Sequence, residues 1–188
     1  VDGKCTIKAS FHEGLKKTRF NITIDPKMAF GTGHHQTTYM MCRALLQNED
    51  AVRGKVVMDM GCGTAVLAIL AKMRGASYVE GVDVDEWAYR NARENAAANG
   101  VDLTLRLGDA TTLSGTFDVV IANINRNILL ADMPRYAAAL NPGGSLLLSG
   151  FYEADEGALI AKANELGMVL KDKKNRDGWS ALQLRVRS

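Results

Sequence analysis

The 188-residue sequence predicts a Rossmann-like, doubly wound α/β domain whose sheet is mostly parallel and ends in an antiparallel C-terminal hairpin. Three observations predict it. From Lys55 onward, short runs rich in Val, Ile and Leu alternate with segments of helical periodicity, the pattern of parallel strands covered on both faces. The run V-V-M-D-M-G-C-G, residues 56–63, leads a buried strand through two glycines spaced by one into a helix, which presents backbone N–H groups to a ligand. After residue 166, two β-type runs flank K-N-R-D-G-W, a connection suited to a hairpin.

Taken in order, residues 1–25 hold two alternating runs, Cys5–Phe11 and Arg19–Ile24, around the polar turn Glu13–Lys17. They are expected to form a hairpin or linker left from an N-terminal region, with the main domain at 26–188. Pro26, Gly31 and Gly33 then exclude a regular element, so D-P-K-M-A-F-G-T-G-H-H is a loop. Gln36–Gln47 reads as a helix with an apolar face of Tyr39, Met40, Ala44 and Leu45. Strands are expected at Lys55–Met60, Tyr78–Asp83, Leu103–Leu107, Asp118–Asn123 and Ser145–Ser149. Helices are expected at Val66–Arg74, Glu86–Ala98, Asn127–Leu140 and near Glu153–Leu166. Gly75, Gly100 and the group Pro142–Gly143–Gly144 stand where helices should stop. Met168–Lys173 and Ala181–Val186 form the closing pair, with the basic cluster Lys171–Arg176 as a solvated hairpin tip.

Composition narrows the function. Twenty-three basic against 21 acidic residues leave a net charge of +2, no electrostatic reason to expect nucleic acid or membrane as the main partner. No apolar run reaches the roughly 18 residues of a membrane helix, and no signal peptide opens the chain. Cys5, Cys42 and Cys62 are scattered without C-x-x-C spacing and read as free thiols of a reducing compartment. A cytoplasmic monomer is expected, and a first residue Val1 suggests a piece of something longer.

Ligands in open α/β sheets sit beyond the carboxyl ends of the strands. Those ends are Gly61–Gly63, Asp83 with Val84 beside it, Asp109 and Asn123. Asp83, twenty residues after Gly63, is placed to accept from both ribose hydroxyls of a nucleoside. Asp85 suits the helix N-terminus better. Asp109 either reads an adenine edge or is an exposed turn residue. Asn123 either caps the next helix or orients an amine. The second role is chemically apt: deprotonating a lysine of pKa near 10.4 at pH 7 costs roughly 4.6 kcal/mol. A neutral amide carbonyl orients the amine without stabilising its ammonium form as a carboxylate would. His34 and His35 lack a third ligand at metal-binding spacing, so no metal is expected. Nor does any nucleophile sit on an elbow motif.

Gly61-x-Gly63 and Asp83 serve nicotinamide and S-adenosylmethionine enzymes alike. A dehydrogenase usually continues into a second run of βαβ units, for which no residues are left. A five-stranded parallel sheet closed by an antiparallel pair belongs with the S-adenosylmethionine-dependent methyltransferases. Within them, M-A-F-G-T-G-H-H-Q-T-T (28–38), D-M-G-C-G-T-A-V-L-A-I (59–69), G-V-D-V-D (81–85) and V-V-I-A-N-I (119–124) stand in the order and spacing of the ribosomal protein L-eleven methyltransferases. The resemblance runs from about Asp25 to the C-terminus, and its specific part is the F-G-T-G-H-H-Q-T-T loop.

The resemblance implies a protein N-methyltransferase acting on lysine and α-amino groups of a ribosomal large-subunit protein. It implies S-adenosyl-L-methionine as donor and S-adenosyl-L-homocysteine as product. The donor contacts it implies are Thr38, Gly61, Asp83 and Asn123, with Phe30 near the donor; Asn123 and Phe30 are the expected catalytic pair. Gly63, Val84 and Asp109 complete the expected cofactor-binding set. Two features depart from the family. Ala65 replaces a third glycine, tolerable if that position only packs helix against strand, and the family's N-terminal recognition domain has at most its connecting hairpin here. Small-molecule or RNA methylation, a nicotinamide-dependent oxidoreductase and a non-catalytic cofactor-binding module are the alternatives.

Overall fold

The computed structural model describes residues 1–25, 35–48 and 50–188. Two short strands, β1 (Cys5–Lys8) and β2 (Phe20–Thr23), precede helix α1 (Gln36–Gln47). Then follow β3 (Val56–Met60), α2 (Val66–Met73), β4 (Tyr78–Asp83), α3 (Glu86–Ala98), β5 (Thr104–Leu107), β6 (Phe117–Asn123), α4 (Arg126–Ala139), β7 (Leu140–Tyr152), α5 (Glu156–Glu165), β8 (Met168–Arg176) and β9 (Trp179–Val186). The main sheet has the order β5-β4-β3-β6-β7-β9-β8. β3 to β7 are parallel, and β9 runs antiparallel to both β7 and β8. The expected architecture is the observed one.

Alternation along the strands divides the core in two. Val57, Val119, Ile121 and Leu147 pack on one face with side chains of α1 and α2. Met58, Val120, Ala122, Leu146 and Leu148 pack on the other with Leu129, Met133 and Tyr136 of α4 and Leu159 of α5. Both faces are covered, which is why these strands read as continuous apolar runs. β4 and β5 lie to one side of β3, β6 and β7 to the other. The order therefore reverses between β3 and β6, and their carboxyl ends, Met60 and Asn123, flank the crevice that the reversal opens.

Three details differ from expectation. The N-terminal strands pair in parallel, Cys5 opposite Phe20 and Ile7 opposite Ile22, and do not make a hairpin. The connection is the whole of residues 9–19, long enough to carry the chain back to the start of β1, where a tight turn at 13–17 would have reversed it. The hydroxyl of Thr6 donates to the Lys16 carbonyl and meets that of Thr18, pinning the returning segment to β1. Helix α4 stops at Ala139, just before Pro142–Gly143–Gly144 as expected, but β7 begins at once and takes the group in. It lies in an irregular stretch of β7, where the register steps from Phe117 opposite Leu140 to Val119 opposite Ser145. The closing strands extend to Arg176 and from Trp179, so the basic cluster sits on edge strand β8 and not at a tip. Edge charge of this kind discourages pairing with another chain. Asp177 and Gly178 both take positive φ, 49° and 82°, the two-residue turn whose twist matches that of a hairpin.

A stripe on α3 ties the first 25 residues to the domain. Asn91, Asn95 and Asn99 recur every four residues and so share one face. Asn99 accepts from the Thr23 N–H at 2.8 Å and donates to the Thr23 carbonyl at 2.7 Å. Asn95 accepts from the Asp25 N–H at 3.2 Å and donates to the Thr64 carbonyl at 3.0 Å, and Asn91 donates to the Asp25 carbonyl at 2.6 Å. One helix face thus holds both the chain leaving β2 and the turn entering α2. Asn95→Ala strands two backbone groups at a buried position and should destabilise the protein by about 2–4 kcal/mol in urea unfolding.

Candidate functional site

The turn from β3 into α2 takes positive φ at every second residue: Gly61 (62°), Gly63 (54°) and Ala65 (67°). Glycine meets the first two at no steric cost. Gly61 is also a close approach, since a Cβ there would stand 2.6 Å from Ile124 Cγ2. Ala65 is not merely a packing position. It opens α2 from left-handed backbone, with no side-chain cap on the helix, at a cost of about 1 kcal/mol for a residue with a Cβ. The turn is held by the neighbouring strand: Cys62 N–H donates to the Val82 carbonyl, and Gly63 N–H to Asp83 Oδ2 at 2.9 Å. Asp83 Oδ1 accepts from Asp85 N–H at 2.9 Å, and Asp85 in turn caps α3 through Trp87 N–H.

Beyond these strand ends lies a cavity of about 500 Å³. Gly61 and Gly63 form one wall, Asp83, Val84 and Ala88 a second, Gly108 to Ala110 a third, and Asn123, Ile124, Ile128, Asp132 and Tyr136 the last. Six expected site residues, Gly61, Gly63, Asp83, Val84, Asp109 and Asn123, are thereby brought together. Thr38 borders a smaller adjoining space of about 50 Å³, which shares Gly61, Gly63 and Asn123 and reaches Asp59. Asn123 Nδ2 faces the Thr38 hydroxyl at 3.5 Å, a long contact. Asn125, not Asn123, caps α4, through Ile128 N–H at 3.1 Å. Phe30 and His34 lie outside the described residues. His35 caps α1, its Nδ1 accepting from Thr37 N–H, and its ring meets Trp179 edge-on at 4.6 Å. Among the described residues no group of three or more His, Cys, Asp or Glu side chains could hold a metal.

Charge is arranged unevenly around the cavity. Asp109 is exposed, and one of its carboxylate oxygens accepts from the Thr111 hydroxyl and N–H, bonds that hold its carboxyl below the usual carboxylate range. Asp132 is half-buried; burial pushes its carboxyl up, the Arg135 guanidinium opposes this, and the charge of Asp109 adds to it. Asp59 is 2% exposed, and burial, reinforced by the Asp83 carboxylate, pushes it up to about 8 against the pull of the Ala68 N–H. Its Oδ2 and the Tyr136 hydroxyl have no hydrogen-bond partner among the described residues. Asp59, Ile128, Asp132 and Tyr136 escaped the sequence reading although signals existed. An acid inside V-V-M-D-M is out of place in a strand buried on both faces, and the other three recur every four residues along α4.

This fold, with its glycine turn and carboxyl-end acids, is that of the S-adenosylmethionine-dependent methyltransferases. A methylase of ribosomal protein L11 from Lactobacillus delbrueckii subsp. bulgaricus superposes with a TM-score of 0.80 at 27% identity, covering 94% of this chain and 90% of that one. A magnesium protoporphyrin IX methyltransferase from Synechocystis, solved with bound SAM, shares the fold at a TM-score of 0.67 and 24% identity, covering 87% of this chain and 86% of that one.

The family model described as ribosomal protein L11 methyltransferase (PrmA) matches residues 1–187, and the chain belongs to that family. Relatives bearing that name are 47% identical in Phocaeicola vulgatus and 48% in Porphyromonas gingivalis, each over 97% of this chain. The chain spans 66% and 63% of their lengths, just under two thirds.

The Asp59 shift carries a stability prediction. In the folded chain the acid keeps its proton up to about pH 8, whereas unfolded it loses it near pH 4. Between those values the unfolded state binds fewer protons, so this group's contribution to stability falls as pH rises. Asp59→Asn removes that loss. Its stability relative to the unsubstituted chain should improve from pH 5 to pH 8 in urea titrations, by at most about 1.4 kcal/mol per unit.

Proposed function

We propose that this chain binds S-adenosylmethionine in the 500 Å³ cavity and transfers its methyl group to lysine or α-amino groups of a ribosomal large-subunit protein, releasing S-adenosylhomocysteine. The observation that carries the reading is the convergence of Gly61, Gly63, Asp83 and Asn123 on one cavity at the strand reversal of an L11 methyltransferase family member. The residues fit the cofactor. Gly61 brings the turn against Ile124 with no Cβ between them, and Asp59 Oδ2 is a buried carboxyl oxygen without a partner among the described residues, beside the space that Gly61, Gly63 and Asn123 share. When bound, the sulfonium supplies an activated methyl group and its own leaving group.

The chain's part is to hold and to position. Asp83 accepts two backbone N–H groups, yet a carboxylate has about four lone-pair sites, enough for two ribose hydroxyls as well. Val84 and Ile128 offer apolar surface to the base. The uncapped N-terminus of α2 favours the carboxylate of the amino-acid end. Asn123 accepts an N–H of the neutral acceptor amine at its amide carbonyl, while the apolar side chain of Ile124 beside it disfavours the ammonium form. Positioning and desolvation supply the remaining catalysis. Among the described residues no helix is long and apolar enough to cross a membrane, which accords with a cytoplasmic ribosomal substrate. Family membership and the antiparallel end of the sheet count against the nicotinamide reading.

Calorimetry with S-adenosylhomocysteine tests the cofactor assignment. The chain should bind it, and Asp83→Ala should weaken binding on the order of a hundredfold, two charge-assisted hydrogen bonds being lost. Absence of binding by the unsubstituted chain would overturn the reading. In a labelled-methyl assay with ribosomal large-subunit protein, Asn123→Asp should cut turnover at least about tenfold at pH 7 and recover part of it at higher pH. A carboxylate there stabilises the protonated amine.

A further inference from the structure

Asn123 ends β6, and Ile124, the residue after it, meets glycines from two other elements. At its side chain is Gly61 of the turn after β3, where a Cβ would stand 2.6 Å from Ile124 Cγ2. At its backbone is Gly150 of β7, where a Cβ would overlap the Ile124 carbonyl oxygen and stand 2.8 Å from the carbonyl carbon and 2.9 Å from the nitrogen. Gly150 has a φ of 98° and is the extra residue of a β-bulge: Ser149 pairs with Ala181 of β9, and Phe151 already with Ser180. Just before the bulge, Ser149 lies opposite Asn123, and its carbonyl accepts from Ile124 N–H at 3.1 Å. The bulge is itself anchored. The fully buried Ser149 hydroxyl donates to the Ser180 carbonyl at 2.7 Å, and the Ser180 hydroxyl donates to Glu156 Oε1 at 2.7 Å.

We propose that Gly150 is a positioning residue for methyl transfer: the bulge it permits sets the place of the Asn123 amide relative to the donor turn at Gly61. The Ile124 nitrogen shares a rigid peptide plane with the Asn123 carbonyl, so backbone that displaces Ile124 swings Asn123 with it. Any side chain at position 150 has to push that peptide, because the atoms it meets are backbone and cannot rotate away. Gly150 lines neither the cavity nor the smaller space beside it, and it acts on Asn123 only through the Ile124 peptide. Its role rests on the function proposed above for Asn123 and deepens it. Geometry of this kind is worth much in rate, since a misplacement of about 1 Å can cost a hundredfold.

Two alanine variants of the whole chain test it. Gly143 belongs to the same strand and has a φ of 74°, but a Cβ there would meet nothing within 4 Å. Gly150→Ala and Gly143→Ala therefore both carry left-handed strain, and only the first carries the collision. Gly150→Ala should displace the Asn123 side-chain amide signals in nitrogen–proton correlation spectra, identified by their loss in Asn123→Asp. It should cut turnover at saturating donor at least about tenfold, with affinity for S-adenosylhomocysteine falling far less. Gly143→Ala should leave signals and turnover in place. Should Gly150→Ala fail to fold, Ser149→Ala frees the bulge from Ser180 without adding an atom and should displace the same signals, by less. Asn123 signals that stay put in the folded variant, or that move equally in Gly143→Ala, would overturn the proposal. So would affinity and turnover that fall together. The signals need no turnover to be read, so they decide the matter whatever the activity of the chain. If the unsubstituted chain failed to bind S-adenosylhomocysteine, the methyl-donor assignment itself would fall; intact binding with an Asn123 indifferent to Gly150 sinks only the positioning role.

Discussion

Everything near the cavity depends on a backbone constraint: the five residues from Gly61 to Ala65 must turn β3 into α2 with left-handed backbone at alternate positions. Such a turn lets the backbone come close to what it meets, as Gly61 does to Ile124. Left to itself it is unfavourable, because Ala65 has a Cβ and two glycines sacrifice much chain entropy. Its neighbours hold it. The Val82 carbonyl and the Asp83 carboxylate of the adjacent strand take the N–H groups of Cys62 and Gly63. The acid expected to hold ribose therefore also fixes the turn that faces it, a coupling that favours preorganisation over adaptability.

A second set of polar pins works at a larger scale. The asparagine stripe of α3 binds the chain leaving β2 on one side and the Thr64 carbonyl on the other. Asp85 at the start of the same helix is hydrogen-bonded to Asp83. One helix thus connects the N-terminal strands, the glycine turn and the acid at the end of β4. Similarly, buried Arg74 at the end of α2 donates to the Leu45 and Asn48 carbonyls, satisfying the last turn of α1, the helix that bears Thr38. The site is rigid because its supports are hydrogen-bonded to each other as well as packed.

The parts of the fold legible in the sequence were those with a repeating physical signal. Doubly buried strands announce themselves as apolar runs, and helix ends by glycine. The direction of the N-terminal pair is not legible, because alternation reports a strand but not its direction; β1 and β2 have the same pattern whether they pair parallel or antiparallel. Strand ends at β7 to β9 were missed because edge strands carry charge and bulges carry Pro and Gly, both of which resemble loop. Nothing in the sequence marks Ala65 as left-handed, since a backbone angle leaves no trace in composition.

For the site, sequence alone determined which residues end the parallel strands: Gly61, Gly63, Asp83, Asp109 and Asn123 follow apolar runs, and the topology of any doubly wound sheet carries such ends to one crevice. The motifs then named a family. Only the tertiary structure decided that α4 closes the same crevice with Asp132 and Tyr136, and that Asp59 is buried beside Asp83 with its proton held to about pH 8. The reason is physical. Local order along the chain sets secondary structure and the ends of strands, whereas desolvation, unpaired hydroxyls and neighbouring carboxyls arise only when distant segments exclude water from one another.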